Sequence, residues 1–396
     1  MPSLRVMRTL RGAVVSLGLA ACSRDPRERS GPVPASSAST PASTSAAPSH
    51  SSTTTDPTPL LRDEELGPLI ARLSEDPGDF PSENYVTNET TLLDVAPVLR
   101  DPRLRGRAYV GVGPEQNFSY VALLEPAIAY VVDIRRGNLL EMIVYRGCFE
   151  VGRTRAEFLS ALLARRMPAV PPRDPGFGPL ARAFTAAIPD RALRDAGLAR
   201  TLGLLARLRI SPAEGDAAAV ARIHDAFFTR GLELAYTMEN SGRKYPTLAE
   251  NFAAKDPSGV EATFLSSEES YARVRRFVLE GRLVPVVGDL GGRQAVAAIA
   301  ADVRARGLVL AAFYASNVEQ YLFASRTYPQ FLRNLAAFPH DDASLIVRVW
   351  FDQGRRHPAQ RPGHRTTQLV APFGRFVTRA AEAPFASYWE VVKAFP

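Results

Sequence analysis

Ala108-Tyr109-Val110-Gly111-Val112-Gly113-Pro114, a helical run from Asn117 to Leu124, and then Ile128-Ala129-Tyr130-Val131-Val132-Asp133 form the stretch that decides the fold. Two short β-branched and aromatic runs flank a glycine break and a helix, and the second run ends on a carboxylate. A nucleotide-binding crossover requires this order. Glycines let the backbone approach a ligand, the helix start offers free N–H groups and a positive dipole end, and a carboxylate at the next strand tip accepts two ribose hydroxyls. Asp133 lies 22 residues beyond Gly111, close to the expected spacing of about 20. Counted from Gly111, the third glycine of a G-x-G-x-x-G run is replaced by Gln116, and that of a G-x-G-x-G run by Glu115.

Outward from this unit, Asn138 to Glu150 reads as a helix, and a second unit of the same kind lies downstream. Leu283-Val284-Pro285-Val286-Val287 is an apolar strand, Gly288-Asp289-Leu290-Gly291-Gly292 its terminus and turn, Gln294 to Arg306 an Ala-rich helix, and Leu308 to Phe313 another strand that runs into Tyr314-Ala315-Ser316-Asn317-Val318-Glu319. Ser344 to Phe351 reads as a later strand. Residues 152 to 281 are mostly helical, with breaks at Met167 to Pro179 and Ala254 to Gly259, and Ser266-x-x-Glu269 forms a capping box before the strand at Leu283. Four or five strands alternating with helices predict an α/β fold, a Rossmann-like, mainly parallel sheet flanked by helices with a helical insertion at about 152–281. Asp133, Asp289 and Asn317 then share the sheet edge where open sheets of this kind bind ligands. Gly291 and Gly292 are expected to leave backbone N–H groups open to an anion or a ribose.

Val110-Gly111-Val112-Gly113 with Asp133 resembles the first two motifs of class I S-adenosylmethionine-dependent methyltransferases. Val287-Gly288-Asp289 resembles their third, and Tyr314-Ala315-Ser316-Asn317 occupies the place of their fourth. Through Ser316-Asn317-Val318-Glu319-Gln320-Tyr321-Leu322 and Pro285-Val286-Val287-Gly288-Asp289, the chain also resembles a family of uncharacterised bacterial putative lipoproteins with a methyltransferase-like core. The resemblance covers about residues 80 to 150 and 265 to 355. It implies S-adenosylmethionine as cofactor, with Gly111, Gly113, Glu115, Asp133, Asp289 and Asn317 as contacts, and Asn317 beside the transferred methyl. Departures are the missing third glycine, the absent Pro-Pro of the fourth motif and the long middle insert. No catalytic residue is assigned, because methyl transfer to a nucleophile held in line needs little more than positioning.

The amino terminus carries a different signal. Arg5, Arg8 and Arg11 precede the apolar run Ala13 to Leu19, and Leu19-Ala20-Ala21-Cys22 resembles a bacterial lipobox, which implies a lipoprotein signal over residues 1–21 and lipidation of Cys22. Residues 30 to 59 hold 21 Ser, Thr or Pro in 30 positions, so residues 22–59 read as a tether that buries too little apolar surface to fold. The expected location is the cell envelope, lipid-anchored to a membrane, at the outer membrane or periplasmic face if the organism is diderm. Six basic and three acidic residues lie before residue 60, leaving four of the seven net positive charges to the body at 60–396. That is too dilute for a nucleic-acid binder, and two cysteines exclude a disulfide framework or a four-thiolate zinc site.

The remaining candidates are few. The Ser82 to Glu89 loop is placed as a lid, Cys148 as a small buried thiol, and Asn317 and Glu319 as residues that orient substrate or cap turns. His224, His340, His357 and His364 lack helical His-x-x-x-His spacing and are expected at the surface, and Arg355 to Arg365 as a solvated hairpin tip. Two functions follow from these patterns. One is methyl transfer to an unknown small-molecule or envelope substrate, and the other is a non-catalytic Rossmann-like ligand-binding or envelope-associated lipoprotein. A nicotinamide or other dinucleotide is a weaker third, since Gly-Asp-Leu-Gly-Gly matches its motif poorly.

Overall fold

The computed structural model describes residues 61–169, 176–238, 243–352 and 354–396. The signal segment, Cys22 and the tether lie outside the described residues. Helix α1 (Asp63–Leu73) leads through a long loop to the short α2 (Ala96–Leu99), then to β1 (Ala108–Val112), α3 (Gln116–Leu124), β2 (Ile128–Asp133) and α4 (Arg136–Val151). The insertion follows as α5 (Arg155–Leu163), α6 (Phe177–Ala186), α7 (Arg191–Arg207), α8 (Asp216–Arg230) and α9 (Leu248–Phe252). The chain returns to the sheet through α10 (Glu268–Leu279), β3 (Leu283–Val287), α11 (Ala295–Ala305) and β4 (Leu310–Ser316). After α12 (Val318–Ala324) and α13 (Tyr328–Ala336) come β5 (Leu345–Phe351), β6 (Thr366–Pro372), α14 (Phe373–Glu382) and α15 (Tyr388–Ala394).

The six strands are ordered β3-β2-β1-β4-β5-β6. The first five are parallel, with Ala108 opposite Ile128, Ala129 opposite Leu283 and Tyr109 opposite Ala312, while β6 is antiparallel to β5. Every residue of β1, β2 and β3 is buried, as expected for strands covered by helices on both faces. The fold is α/β and Rossmann-like, as the spacing of the sequence predicts. Strand order reverses between β1 and β4, so their carboxyl ends open a crevice.

Helix α4 explains how the insertion joins the sheet. It packs against β2 and β3 on one side and against α5, α7 and α8 on the other, which is why nearly all of Asn138 to Phe149 is buried. A helix enclosed in this way has no need of a polar face. The insertion therefore shares the core of the sheet, where the rings of Phe149 and Phe158 meet each other and each meets Phe264 and Tyr271.

Three local expectations change. The cap of α10 is Ser267, whose extended backbone lets its hydroxyl accept from Ser270 N at 3.1 Å, whereas Ser266 N closes a turn onto Thr263. His224 is buried in α8 with Nε2 3.0 Å from Thr201 Oγ1, and burial pushes its pKa down to about 4. His357 is likewise buried. The 355–365 segment does join two antiparallel strands, β5 and β6.

Candidate functional site

Four strand ends converge on one cavity of roughly 290 Å³, lined by Gly113, Asp133, Asp289 and Asn317 among others. That volume lies at the lower end of the ~300–1,000 Å³ typical of small-molecule sites. Phe80, Tyr236 and Tyr321 supply aromatic walls, and Phe80 meets Tyr321 edge-on with ring centroids 5.4 Å apart. Asp79, Phe80, Pro81, Asn84, Thr87, Asn88 and Glu89 form one side, so the loop expected as a lid is a wall of the cavity.

The turn after β1 is stitched by two side-chain amides, with Gln116 Nε2 donating to the Val112 carbonyl at 3.1 Å and Asn117 making the rest. Gly113 has φ +83°, a conformation that glycine adopts without penalty. Asn117 Nδ2 donates to the carbonyls of Val112, Gly113 and Pro114 at 3.2, 3.1 and 2.8 Å, and Asn117 Oδ1 accepts from Tyr109 Oη at 2.7 Å. These two side chains explain Gly111, which does not line the cavity. A Cβ there would sit 2.0 Å from Asn117 Oδ1 and 2.2 Å from Tyr109 Oη, so this glycine makes room for internal packing. Glu115 also stands apart from the cavity. Its carboxylate accepts from Thr87 N at 3.0 and 3.1 Å, with Asn251 Nδ2 at 3.4 Å, and clamps the 80–89 loop and the insertion onto the start of α3. Burial pushes its pKa up to about 8 against the hydrogen bonds that hold it.

At the tip of β2, Asp133 is held by a neighbour. Oδ1 accepts from Arg135 N at 2.9 Å and Nε at 3.0 Å, while Oδ2 accepts from a terminal guanidinium nitrogen at 3.0 Å. Arg135 also donates to the Glu83 carbonyl, tying the loop wall to this corner.

The β3 end departs from the expectation of open amides. Gly291 N donates to Asp289 Oδ1 at 2.8 Å and Gly292 N to Asp289 O at 2.9 Å. Glu75, just beyond α1, supplies an internal anion: its carboxylate accepts from Asp289 N at 2.8 Å, Gln294 N at 3.1 Å and Ala295 N at 3.2 Å. Two N–H groups at the start of α11, those of Gln294 and Ala295, are thereby satisfied from within the chain.

Glu89 ends the loop expected as a lid, and sequence reading gave it no role of its own. It is buried, lines the cavity, and accepts from Tyr314 Oη and Ser316 Oγ at 2.5 Å each and from Gln368 Nε2 at 2.7 Å. Desolvation raises its pKa despite those donors. Ser316 has φ +50°, a costly backbone state for a residue with a Cβ, and its hydroxyl is fixed by Glu89. Asn317 follows it on the cavity wall with no helix-capping bond from its side chain. Glu319 is elsewhere: it is fully buried, 3.0 Å from an Arg348 nitrogen and 3.1 Å from Tyr328 Oη. No signal near Glu89 marks it in sequence, because its partners are more than 200 residues away.

Among the described residues, no cluster of three or more His, Cys, Asp or Glu is arranged to hold a metal ion, and no helix is long and apolar enough to cross a membrane. Cys148 is free and buried, with its thiol pushed up to about 12 by burial. A family model described as a domain of unknown function, DUF7790, matches residues 85–169 and 216–386, which include all six strands and leave out α6 and α7. No curated protein matches the chain.

Proposed function

The chain belongs to the DUF7790 family, and we propose that its folded unit binds S-adenosylmethionine in the strand-end cavity and serves methyl transfer to a second molecule. One observation carries this reading: Gly113, Asp133, Asp289 and Asn317, brought from four different strand ends, line the same cavity. The residues present fit the cofactor. Asp133 has lone pairs left to accept ribose hydroxyls, the Phe80 and Tyr321 rings offer apolar faces to a flat base, and Asn317 stands at the end of β4 where the reactive end would lie. Bound there, the cofactor supplies an activated methyl group. The chain itself contributes orientation and a mostly apolar wall.

Calorimetric titration of the full chain with S-adenosylmethionine tests the reading. Saturable binding that weakens at least about tenfold in Asp133→Ala, the equivalent of ~1.4 kcal/mol, is expected. No binding of the cofactor or its demethylated product defeats it.

A second reading has its own support. Arg135 engages both oxygens of Asp133, and Glu75 fills the amides after β3, so the chain's own groups satisfy positions that a ligand would use. This favours a non-catalytic Rossmann-like binding protein with another ligand. Cofactor binding gained only in Arg135→Ala would point to that second reading.

For the amino terminus, we propose that Cys22 carries lipid and anchors the unit in the cell envelope through the Ser/Thr/Pro-rich tether. The Leu19-Ala20-Ala21-Cys22 tetrapeptide supports it. Mass spectrometry of the mature amino terminus should find acyl chains that Cys22→Ser removes.

A further inference from the structure

A second cavity, roughly 600 Å³, lies on the far side of Glu89. Its walls come from the Glu89–Leu93 turn, the Lys244–Gly259 part of the insertion, and Arg361 and His364 of the β5–β6 connection. Glu89 belongs to this wall and to that of the strand-end cavity, so the two spaces adjoin at this buried carboxyl.

The charges around the second cavity are unequal in their commitments. Asp256 is paired with Arg100 at 2.7 Å and also accepts from Ser258 Oγ. Glu250 accepts from Thr247 N and its hydroxyl as part of the α9 capping box. Arg361 is paired with Asp94 at 2.7 Å. Lys244 and Lys255 make no ion pair among the described residues and stand exposed at the mouth. Glu250 has no cationic partner among the described residues, so its charge offsets one of the two lysines, and the exposed charge of the cavity is positive by the other.

We propose that this second cavity is the substrate site, that it takes a small molecule bearing a phosphate or carboxylate group opposite Lys244 and Lys255, and that the remainder of that molecule reaches the strand-end cavity at Glu89. The role as acceptor site rests on the methyl-transfer reading, whereas the anion site rests on its own residues. Two ammonium groups select for charge, and the turn residues Leu92 and Leu93 offer an apolar surface to the uncharged part.

The test uses the full chain at physiological ionic strength, where long-range attraction is screened and only close contacts persist. Inorganic phosphate and acetate are titrated separately, which distinguishes the two anion chemistries. Saturable binding of at least one is expected, weakened about tenfold in the Lys244→Ala/Lys255→Ala variant, with S-adenosylmethionine binding unchanged by the substitutions. Binding of neither anion, or equal binding by the variant, overturns the anion site. If both ligands bind, each should change the affinity of the other by the same factor. Complete independence overturns the claim that the cavities meet. Anion binding without any cofactor binding defeats the methyl-transfer reading and leaves the anion site standing.

Discussion

Arg348 and Glu319 are both fully buried and 3.0 Å apart, with a second Arg348 nitrogen donating to the Phe395 carbonyl and the guanidinium over the Phe376 ring. Such a pair adds little net stability over an apolar substitute, but removing one partner leaves an uncompensated charge. Glu319→Ala should therefore destabilise the fold by about 3–5 kcal/mol in urea unfolding, and Glu319→Ala/Arg348→Met should recover part of the loss. Glu115 makes a prediction in pH. Its carboxyl titrates near 8 in the fold against 4.5 when exposed, because burial disfavours the charge. Between those values the folded state holds a proton that the unfolded state has released, so this group's contribution declines as pH rises through the window and is fully present only below it. Buried Glu89 and Glu141 are shifted in the same direction, so the difference between wild type and Glu115→Gln isolates the effect. Melting temperatures of the two should diverge between pH 5 and about 8, the wild type falling more. Asp133, Asp289 and Asn317 were legible as cavity residues because strand ends are legible. Glu75 and Glu89 were not, since each acts on backbone or side chains more than 200 residues away and no local pattern encodes that meeting.

At the scale of elements, α1 docks through backbone. Gly67 N donates to Leu208 O at 2.9 Å, and a Cβ on Gly67 would come 2.0 Å from Arg209 O, an atom that cannot swing aside. Gly67→Ala should cost about 1–3 kcal/mol through forced backbone displacement. It should also loosen Glu75, which follows α1, and raise amide exchange at Asp289, Gln294 and Ala295. Retained protection there would disprove the link. The strands at Ala108, Ile128, Leu283 and Leu345 were readable from compact β-branched and aromatic runs. The sixth strand was not: Thr366-Thr367-Gln368 and the closing Pro372 lack such a run, and an edge strand tolerates them because only one neighbour demands hydrogen bonds. The caps show the same limit, since Ser266 and Ser267 are chemically equivalent and only backbone direction chooses between them.

Across the described residues, one apolar cluster runs from the sheet through α4 into α5, α6, α7 and α8. The insertion looked separable in sequence, as a helical block between two sheet-forming halves, but it shares side chains such as Phe158 and Phe227 with the core of the sheet. Urea unfolding of this unit should be a single transition with coincident far-ultraviolet dichroism and tryptophan fluorescence. Cys148, buried within that core, should react with thiol reagents only at the rate of global opening. Separate transitions, or rapid labelling of the native protein, would show the insertion opening alone.

The strand order also sets a schedule for synthesis. β1 lies in the middle of the sheet, yet its two neighbours are far apart in the chain: Ala108 pairs with Ile128 on one side and with Leu310 on the other. A ribosome must add about 200 residues after β1 before its second edge can be covered, and contacts this distant in sequence close slowly. Until β4 emerges, the second edge of β1 is unpaired, and unpaired strand edges with exposed apolar surface are prone to aggregate. Chains halted before residue 310 can pair only β3, β2 and β1 and leave the second edge of β1 uncovered, which makes the last quarter of the sequence the step that completes the sheet.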